Sequence, residues 1–258
     1  MPRVLSWVAG AAAVVMMFGA TAASARNIDA IKKGGTIIVA TEGQYAPFNF
    51  FEGSKLSGFE VDVMEGVAKK MGLKIEWKTL GFDALLTGLG QDRWDLVIAS
   101  HGITEERAKA VTFTDPHYCS GGAIVTKNAA LRTAKDLAGK TIAVQTGSSY
   151  LDAAQKIPGI KELKNFPKDP DAMAAVMSDR ADVWVTDKFV VMDVLKTNKN
   201  TGLRATGMLF VEKIAAAVSK GNDGLAGAYN KGLGEFMAKG GGYEALSMKY
   251  FGEDVRCK

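Results

Sequence analysis

Four short runs of uninterrupted apolar, largely β-branched residues punctuate the chain, and they come in two matched pairs. Gly35-Thr36-Ile37-Ile38-Val39-Ala40-Thr41 is echoed by Gly139-Lys140-Thr141-Ile142-Ala143-Val144-Gln145-Thr146. Each is followed by a Gly-containing loop and a tyrosine, Tyr45 and Tyr150. Asp92-Arg93-Trp94-Asp95-Leu96-Val97-Ile98-Ala99-Ser100 is echoed by Asp179-Arg180-Ala181-Asp182-Val183-Trp184-Val185-Thr186-Asp187. Runs with no polar alternation predict strands buried on both faces of a parallel sheet. Between them the period lengthens. Val61, Met64, Val67, Ala68 and Met71 recur at helical spacing and stop at Gly72, while Ala172, Ala175 and Val176 predict a helix feeding the fourth strand. Ile75 and Trp77 alternate with charges, as in a half-exposed strand.

Alternating strands and helices predict an α/β chain of two lobes, each a parallel-type sheet flanked by helices with right-handed crossovers. In open parallel sheets ligands sit beyond the carboxyl ends of the strands. Here the loops at those ends are 41–48, 99–107, 145–150 and 186–189. Two lobes facing each other through them enclose a cleft lined from both halves, with the crossings near 117–122 and 207–214. Gly139-Lys140-Thr141 resembles the end of a phosphate loop, but Ala134 stands where that motif needs glycine, and the triplet opens a strand.

Composition narrows the class. Among 258 residues, 47% are hydrophobic and 23% charged with a net charge of +4, which excludes a disordered chain and a polytopic membrane protein. The charges are interspersed with no basic run of five or more, so no nucleic-acid partner is expected. Met1-Pro2-Arg3 carries one positive charge, Val4 through Ala25 carry none, and the stretch closes on Ala23-Ser24-Ala25. That is the layout of a cleaved export signal over 1–25, although the run is barely long enough to span a membrane as an uncleaved anchor. Cleavage implies a periplasmic product. No cysteine precedes Cys119, so a lipid-modified N-terminal cysteine is excluded. The two cysteines, Cys119 and Cys257, form no C-x-x-C pair, so a zinc ribbon or redox motif is excluded too.

The predicted cleft lining has a definite chemistry. Tyr45, Phe48 and Phe82 offer flat apolar walls. Arg107 offers a planar fork matched to a carboxylate. Ser100, Gly102, Ser148 and Ser149 offer hydroxyl and backbone donors at positions that favour anions. Asp187 ends an apolar strand, where an acid is costly unless it meets a cation. A carboxylate fork in one lobe and an acid for an ammonium in the other describe an amino-acid ligand.

At these residues the chain resembles the periplasmic solute-binding proteins of polar amino-acid ABC transporters, bacterial solute-binding family 3. The likeness is carried by Tyr45-Ala46-Pro47-Phe48, Gly58-Phe59-Glu60-Val61-Asp62, Asp95-Leu96-Val97 with Ile103-Thr104-Glu105-Glu106-Arg107, Phe113-Thr114-Asp115-Pro116-His117-Tyr118, and Asp182 through Asp187. The resemblance implies a two-lobed type II periplasmic-binding-protein fold with lobe 1 over 26–118 and 211–258 and lobe 2 over 119–210. It implies capture of a free amino acid by lobe closure, delivery to a membrane ABC permease, a monomer, and no cofactor or metal. Arg107 matches the clamp on the α-carboxylate, helped by Gly102, Ser148 and Ser149. Asp187 matches the acid that holds the α-ammonium, with Ser100. Tyr45 and Phe82 match the side-chain walls, and Glu42 the reader of a distal polar group, with Gln145 and His101 as further contributors. Gly102 stands where relatives often carry Ser or Thr, and His117 replaces a common Tyr.

Several alternatives stay open at this level. Phe48, Phe59 and Phe113 suit core packing as well as a cleft wall, and Asp92-Arg93 and Asp179-Arg180 suit solvated turns. A Cys119–Cys257 bridge pinning the tail is compatible with an oxidising compartment, but the sequence leaves the pairing undecided. Glu42 favours a cationic or amide side chain, and cystine or an opine is the alternative. The same fold also serves cyclohexadienyl-type dehydratases, but no second carboxylate follows Asp187 in Lys188-Phe189-Val190-Val191 to act as a general acid. The expectation is therefore a freely diffusing binding protein, neither an enzyme nor a sensor domain.

Overall fold

The computed structural model describes residues 25–257, so the predicted export signal lies outside the described residues apart from Ala25. Helix α1 (Ile28–Gly34) leads into β1 (Thr36–Thr41), a meander of β2 (Gln44–Tyr45), β3 (Asn49–Glu52) and β4 (Lys55–Ser57), and helix α2 (Phe59–Met71). β5 (Lys74–Thr79), α3 (Phe82–Gly90), β6 (Leu96–Val97) and α4 (Glu105–Ala110) follow, and then the 16-residue strand β7 (Val111–Thr126). A 3₁₀ turn at Ala134–Leu137 precedes β8 (Thr141–Gln145), α5 (Ser149–Gln155), β9 (Glu162–Phe166), α6 (Asp169–Met177), β10 (Val183–Asp187) and α7 (Lys188–Thr197). A second 16-residue strand, β11 (Arg204–Ser219), returns to α8 (Asp223–Met237) and α9 (Tyr243–Phe251).

The strands line up as β5-β1-β6-β11-β7-β10-β8-β9. β1 runs parallel to β5 and β6, and β8 runs parallel to β9 and β10. Each lobe thus keeps the expected parallel-type strands, while β7 and β11 are antiparallel to each other and to their outer neighbours and make the sheet as a whole mixed. The reason is connectivity. A chain that leaves one lobe on β7 and comes back on β11 must traverse the crossing in opposite directions. Gly121 and Gly122 pair there with Val211 and Phe210, and a side chain on either glycine would strike Phe210.

The sequence echo persists down to single hydrogen bonds. After α3, Asp92 takes a left-handed φ of 57°, with Asp92 N donating to Leu89 O and Arg93 N to Gly88 O. After α6, Asp179 takes φ 59°, with Asp179 N donating to Val176 O and Arg180 N to Ala175 O. Both are Schellman-type helix ends in which a short polar side chain tolerates the left-handed region. Three residues on, Asp95 Oδ2 accepts from Ile38 N at 2.7 Å and Asp182 Oδ2 from Thr141 N at 2.8 Å, tying each second strand to the start of its first.

Packing follows the apolar runs. β8 and β10 are buried at every position, as strands covered on both faces must be. α2 buries Val63, Met64, Val67 and Ala68 and stops at Gly72, whose left-handed φ of 71° is cheap only without a Cβ. Phe48 and Phe59 are fully buried core residues: Phe48 stacks on Tyr118 with ring centroids 4.9 Å apart, and Phe59 meets Phe251 edge-on. Phe48 is thus removed from the candidate cleft walls. Cys119 and Cys257 form a disulfide, and Cys119 N donates to Val255 O, so the tail is fixed to the middle of β7. Among the described residues no helix is long and apolar enough to cross a membrane.

Candidate functional site

The four loops at the carboxyl ends of β1, β6, β8 and β10 do converge, and a buried carboxylate sets the first two. Glu60 Oε1 accepts from Ser100 N at 2.8 Å, and Glu60 Oε2 accepts from Ser100 Oγ at 2.9 Å and Asn49 Nδ2 at 3.0 Å. His117 Nε2 lies 2.8 Å from Glu60 Oε1, with both side chains fully buried. Asn49 Oδ1 in turn accepts from Gly43 N, next to Glu42. Ser100 holds a left-handed φ of 55°. Its hydroxyl, an expected ligand donor, is engaged by Glu60.

Arg107 enters from the first turn of α4, where Thr104 Oγ1 accepts from its backbone N. Its guanidinium donates to Gly102 O at 2.9 Å and to Gly147 O at 2.8 Å, so it bridges loops from both halves of the chain. Burial lowers its pKa, an effect opposed by Glu212 and Asp152. Phe82 lies beneath, its ring centroid 5.7 Å from the guanidinium carbon. His101 stacks on Phe82 at 4.4 Å, and burial holds its pKa well below the ordinary imidazole value, so the ring is neutral. His101 is therefore the backing of a wall and lies outside the small central cavity lined by Tyr45, Phe82, Ser100, Gln145, Ser148, Ser149 and Tyr150.

The other half supplies the opposing face. Ser148 is the N-cap of α5: its Oγ accepts from Leu151 N and donates to Gln145 O, so this hydroxyl is not a free donor either. Ser149 Oγ donates to Glu212 Oε2 at 2.8 Å. Gln145 Nε2 donates to Glu42 Oε1 at 2.7 Å across the cleft, and burial raises the Glu42 pKa to about 8. Asp187 is fully buried and caps α7, Oδ1 accepting from Phe189 N and Oδ2 from Tyr150 Oη at 3.4 Å, and burial raises its pKa to about 7. Tyr45 Oη sits 3.5 Å from Tyr150 Oη and 3.4 Å from Thr186 Oγ1. Among the described residues neither Arg107, Asp187 nor Glu42 has an ion-pair partner.

Three residues of this cluster escaped the sequence reading. Tyr150 was visible as the counterpart of Tyr45. Asp169 accepts from Trp184 Nε1 and Thr186 Oγ1, and burial raises its pKa to about 7. Glu212 is the third, a lone acid in the crossing stretch of β11. No carboxylate follows Asp187 in Lys188–Val191, but Tyr150 Oη adjoins both Glu212 and Asp187, so a second carboxyl approaches Asp187 from a distant strand.

This fold and this polar cleft belong to a defined class. Residues 37–253 match the bacterial extracellular solute-binding proteins, family 3, and the chain belongs to that family. It is 33% identical over 255 residues to the L-cystine-binding protein TcyJ of Escherichia coli strain K12, covering 95% of each chain. An ancestral arginine-binding protein bound to arginine superposes with a TM-score of 0.80 at 38% identity, covering 84% of this chain and 98% of that one. The ancestral amino acid-binding protein AncCDT-1, a precursor of cyclohexadienyl dehydratase, superposes with a TM-score of 0.79 at 30% identity over 86% of this chain and 98% of that one. These relatives are binding proteins, and the family is one of amino-acid transport.

Proposed function

We propose that this chain captures an amino acid with a cationic or amide side chain by closure of two lobes, 26–118 with 211–258 and 119–210, and delivers it to a membrane ABC permease. The observation that carries the reading is the placing of a cationic and an acidic group, half-buried Arg107 and fully buried Asp187, on facing loops of one cleft with no ion-pair partner for either among the described residues. Burying a charge without a partner is expensive. A zwitterion supplies both partners at once, its α-carboxylate to Arg107 and its α-ammonium to Asp187. Glu42, held by Gln145 across the cleft, reads the far end of the side chain. Closure on the ligand is favoured because only the closed form makes contacts from both lobes.

The protein works as an exported monomer in the periplasm after cleavage of 1–25, with no cofactor and no turnover. The likeness to TcyJ, a cystine-binding protein, favours cystine as the second ligand on the same clamp. A thermal-shift screen of the unfolded and refolded chain against the common amino acids, ornithine, citrulline, cystine and opines decides between them. At a hundredfold excess over Kd, a ligand stabilises by ~2.7 kcal/mol, a midpoint rise of roughly 5–10 °C. A rise confined to basic amino acids supports the Glu42 reading, and a rise with cystine alone reassigns the pocket's far end. Turnover of prephenate or arogenate would replace binding by catalysis.

A further inference from the structure

Reading the cleft as an amino-acid site, on which this inference rests, leaves the half-buried Glu212 without a role. Glu212 projects from the middle of β11 into the groups assigned to a ligand's α-carboxylate. Its Oε2 accepts from Ser149 Oγ at 2.8 Å. The same oxygen lies so close to Gly102 that a single methyl group there would overlap it. The Arg107 guanidinium attracts it across the cleft. Arg107, Gly102 and Ser149 are three of the four positions expected to clamp a ligand carboxylate, and here they surround the protein's own. Oε1 is buried without a well-formed hydrogen bond, although Tyr150 Oη adjoins the carboxyl. A carboxylate with one good bond and one poorly bonded oxygen is held, but weakly, because each missing donor leaves part of its desolvation uncompensated.

We infer that Glu212 is an internal competitor for the ligand: in the closed, ligand-free form its carboxylate stands in for the ligand's α-carboxylate, and a ligand binds by displacing it. Gly102 is the enabling residue. A side chain at that position would overlap the carboxylate oxygen, so Glu212 could not stay where it is. The exit route is also present. Glu212 and Ser149 line a groove of ≈ 1000 Å³ beside β11 whose lining mixes Lys109, Lys156 and Lys213 with Glu105, Glu106 and Asp152. A displaced Glu212 moves into this groove of mixed charge and toward solvent.

The consequence is a higher concentration threshold for every ligand. Two closed forms, self-filled and ligand-filled, draw on the same open form, so the apparent Kd is the intrinsic one multiplied by one plus the ratio of self-filled to open protein. One charge-assisted hydrogen bond and an attraction across the cleft make that ratio roughly ten to a hundred. The factor is the same for every amino acid, so it leaves the ratio of any two affinities unchanged and takes the weakest ligands, such as glycine or alanine, out of the useful range first.

The test uses refolded, ligand-stripped protein and its Glu212→Ala, Glu212→Gln and Gly102→Ser forms, with L-arginine and L-cystine as probes. Ligand-free wild type should give the radius of gyration of a closed molecule in small-angle scattering, and Glu212→Ala and Gly102→Ser should expand. By calorimetry the probe that binds wild type should bind both variants about tenfold tighter or more. Glu212→Gln, which keeps an acceptor for Ser149 but loses the attraction to Arg107, should fall between. Gly102→Ser reaches the same end without touching Glu212, so a folding defect in one variant leaves the other informative. Unchanged ligand-free dimensions in both variants overturn the inference, and so does affinity that is equal or weaker. Weaker binding would make Glu212 a ligand contact instead. If neither probe binds any form, the amino-acid reading falls, while scattering still decides whether Glu212 holds the lobes together.

Discussion

The two carboxyls assigned to the ligand, Glu42 and Asp187, are predominantly and half protonated at neutral pH before a ligand arrives, and this makes binding a proton-releasing event whose size identifies the ligand. Burial raises Glu42 to about 8 and Asp187 to about 7. At pH 7 these values mean ~0.9 and ~0.5 of a proton bound, respectively. An α-ammonium against Asp187 favours the ionised carboxylate and returns its pKa below neutrality, releasing ~0.5 proton for any amino acid. A cationic side chain against Glu42 adds ~0.9, so lysine or arginine should release ~1.4 in all. Because the bound state holds fewer protons, affinity rises with pH. For Glu42 alone the gain from pH 6 to pH 8 is about fiftyfold, or ~2.3 kcal/mol, and it levels off above the unbound pKa. Calorimetry in buffers of different ionisation enthalpy reads the proton count directly, and Glu42→Gln should lower it by ~0.9 for a cationic ligand while leaving the Asp187 share. A basic amino acid that binds with the proton count of a neutral one, or more weakly as pH rises, would refute the assignment of Glu42 to the distal cation.

The other expectations follow from the same contacts. Arg107→Ala should lower affinity by more than a hundredfold, since a buried partner charge is left uncompensated at about 3–5 kcal/mol, and a titration with the preferred amino acid reads this. Asp187→Ala should do the same and also cost ~1 kcal/mol of stability, because Asp187 caps α7; Asp187→Asn should keep the cap and still lose binding. Asp95→Ala and Asp182→Ala each remove an ionic acceptor from a strand N–H and should each cost ~2 kcal/mol in urea unfolding, Asp95 more because it also pairs with Arg26. Reduction of Cys119–Cys257, which closes a separation of 138 residues, should destabilise by roughly 2–5 kcal/mol and lower the urea midpoint.

The scaffold was legible because its signals are local and stated twice. Strands β1 and β8 could be read from β-branched runs, α2 from its period and Gly72, and the equivalence of Asp92 with Asp179 from their settings. The site was legible only in part. The residue types at Arg107, Asp187 and Glu42 announce charge that apolar surroundings must compensate. Which of several acceptors a hydroxyl selects is settled in three dimensions. Ser100 gives its hydroxyl to Glu60, and Ser148 gives its own to a helix cap. Glu212 was out of reach for a related reason: Gly102 makes room for it from another strand, more than a hundred positions away. The parallel-type strands of each lobe were legible, whereas the antiparallel direction of β7 and β11 was not, since the two crossings impose it.

The bond between Cys119 and Cys257 turns most of the second half of the chain into a covalent ring. A pull applied between Asn27 and the C-terminal end passes through the disulfide and bypasses that ring. Stretched under oxidising conditions, the molecule can lengthen only by the segment ahead of Cys119, roughly 300 Å at about 3.5 Å per residue. The lobe built on β8, β9 and β10 would carry no load at all. Reduction would release a further length of roughly 480 Å at that same spacing. The tail that looks like a terminal afterthought therefore sets which half of the protein is mechanically exposed.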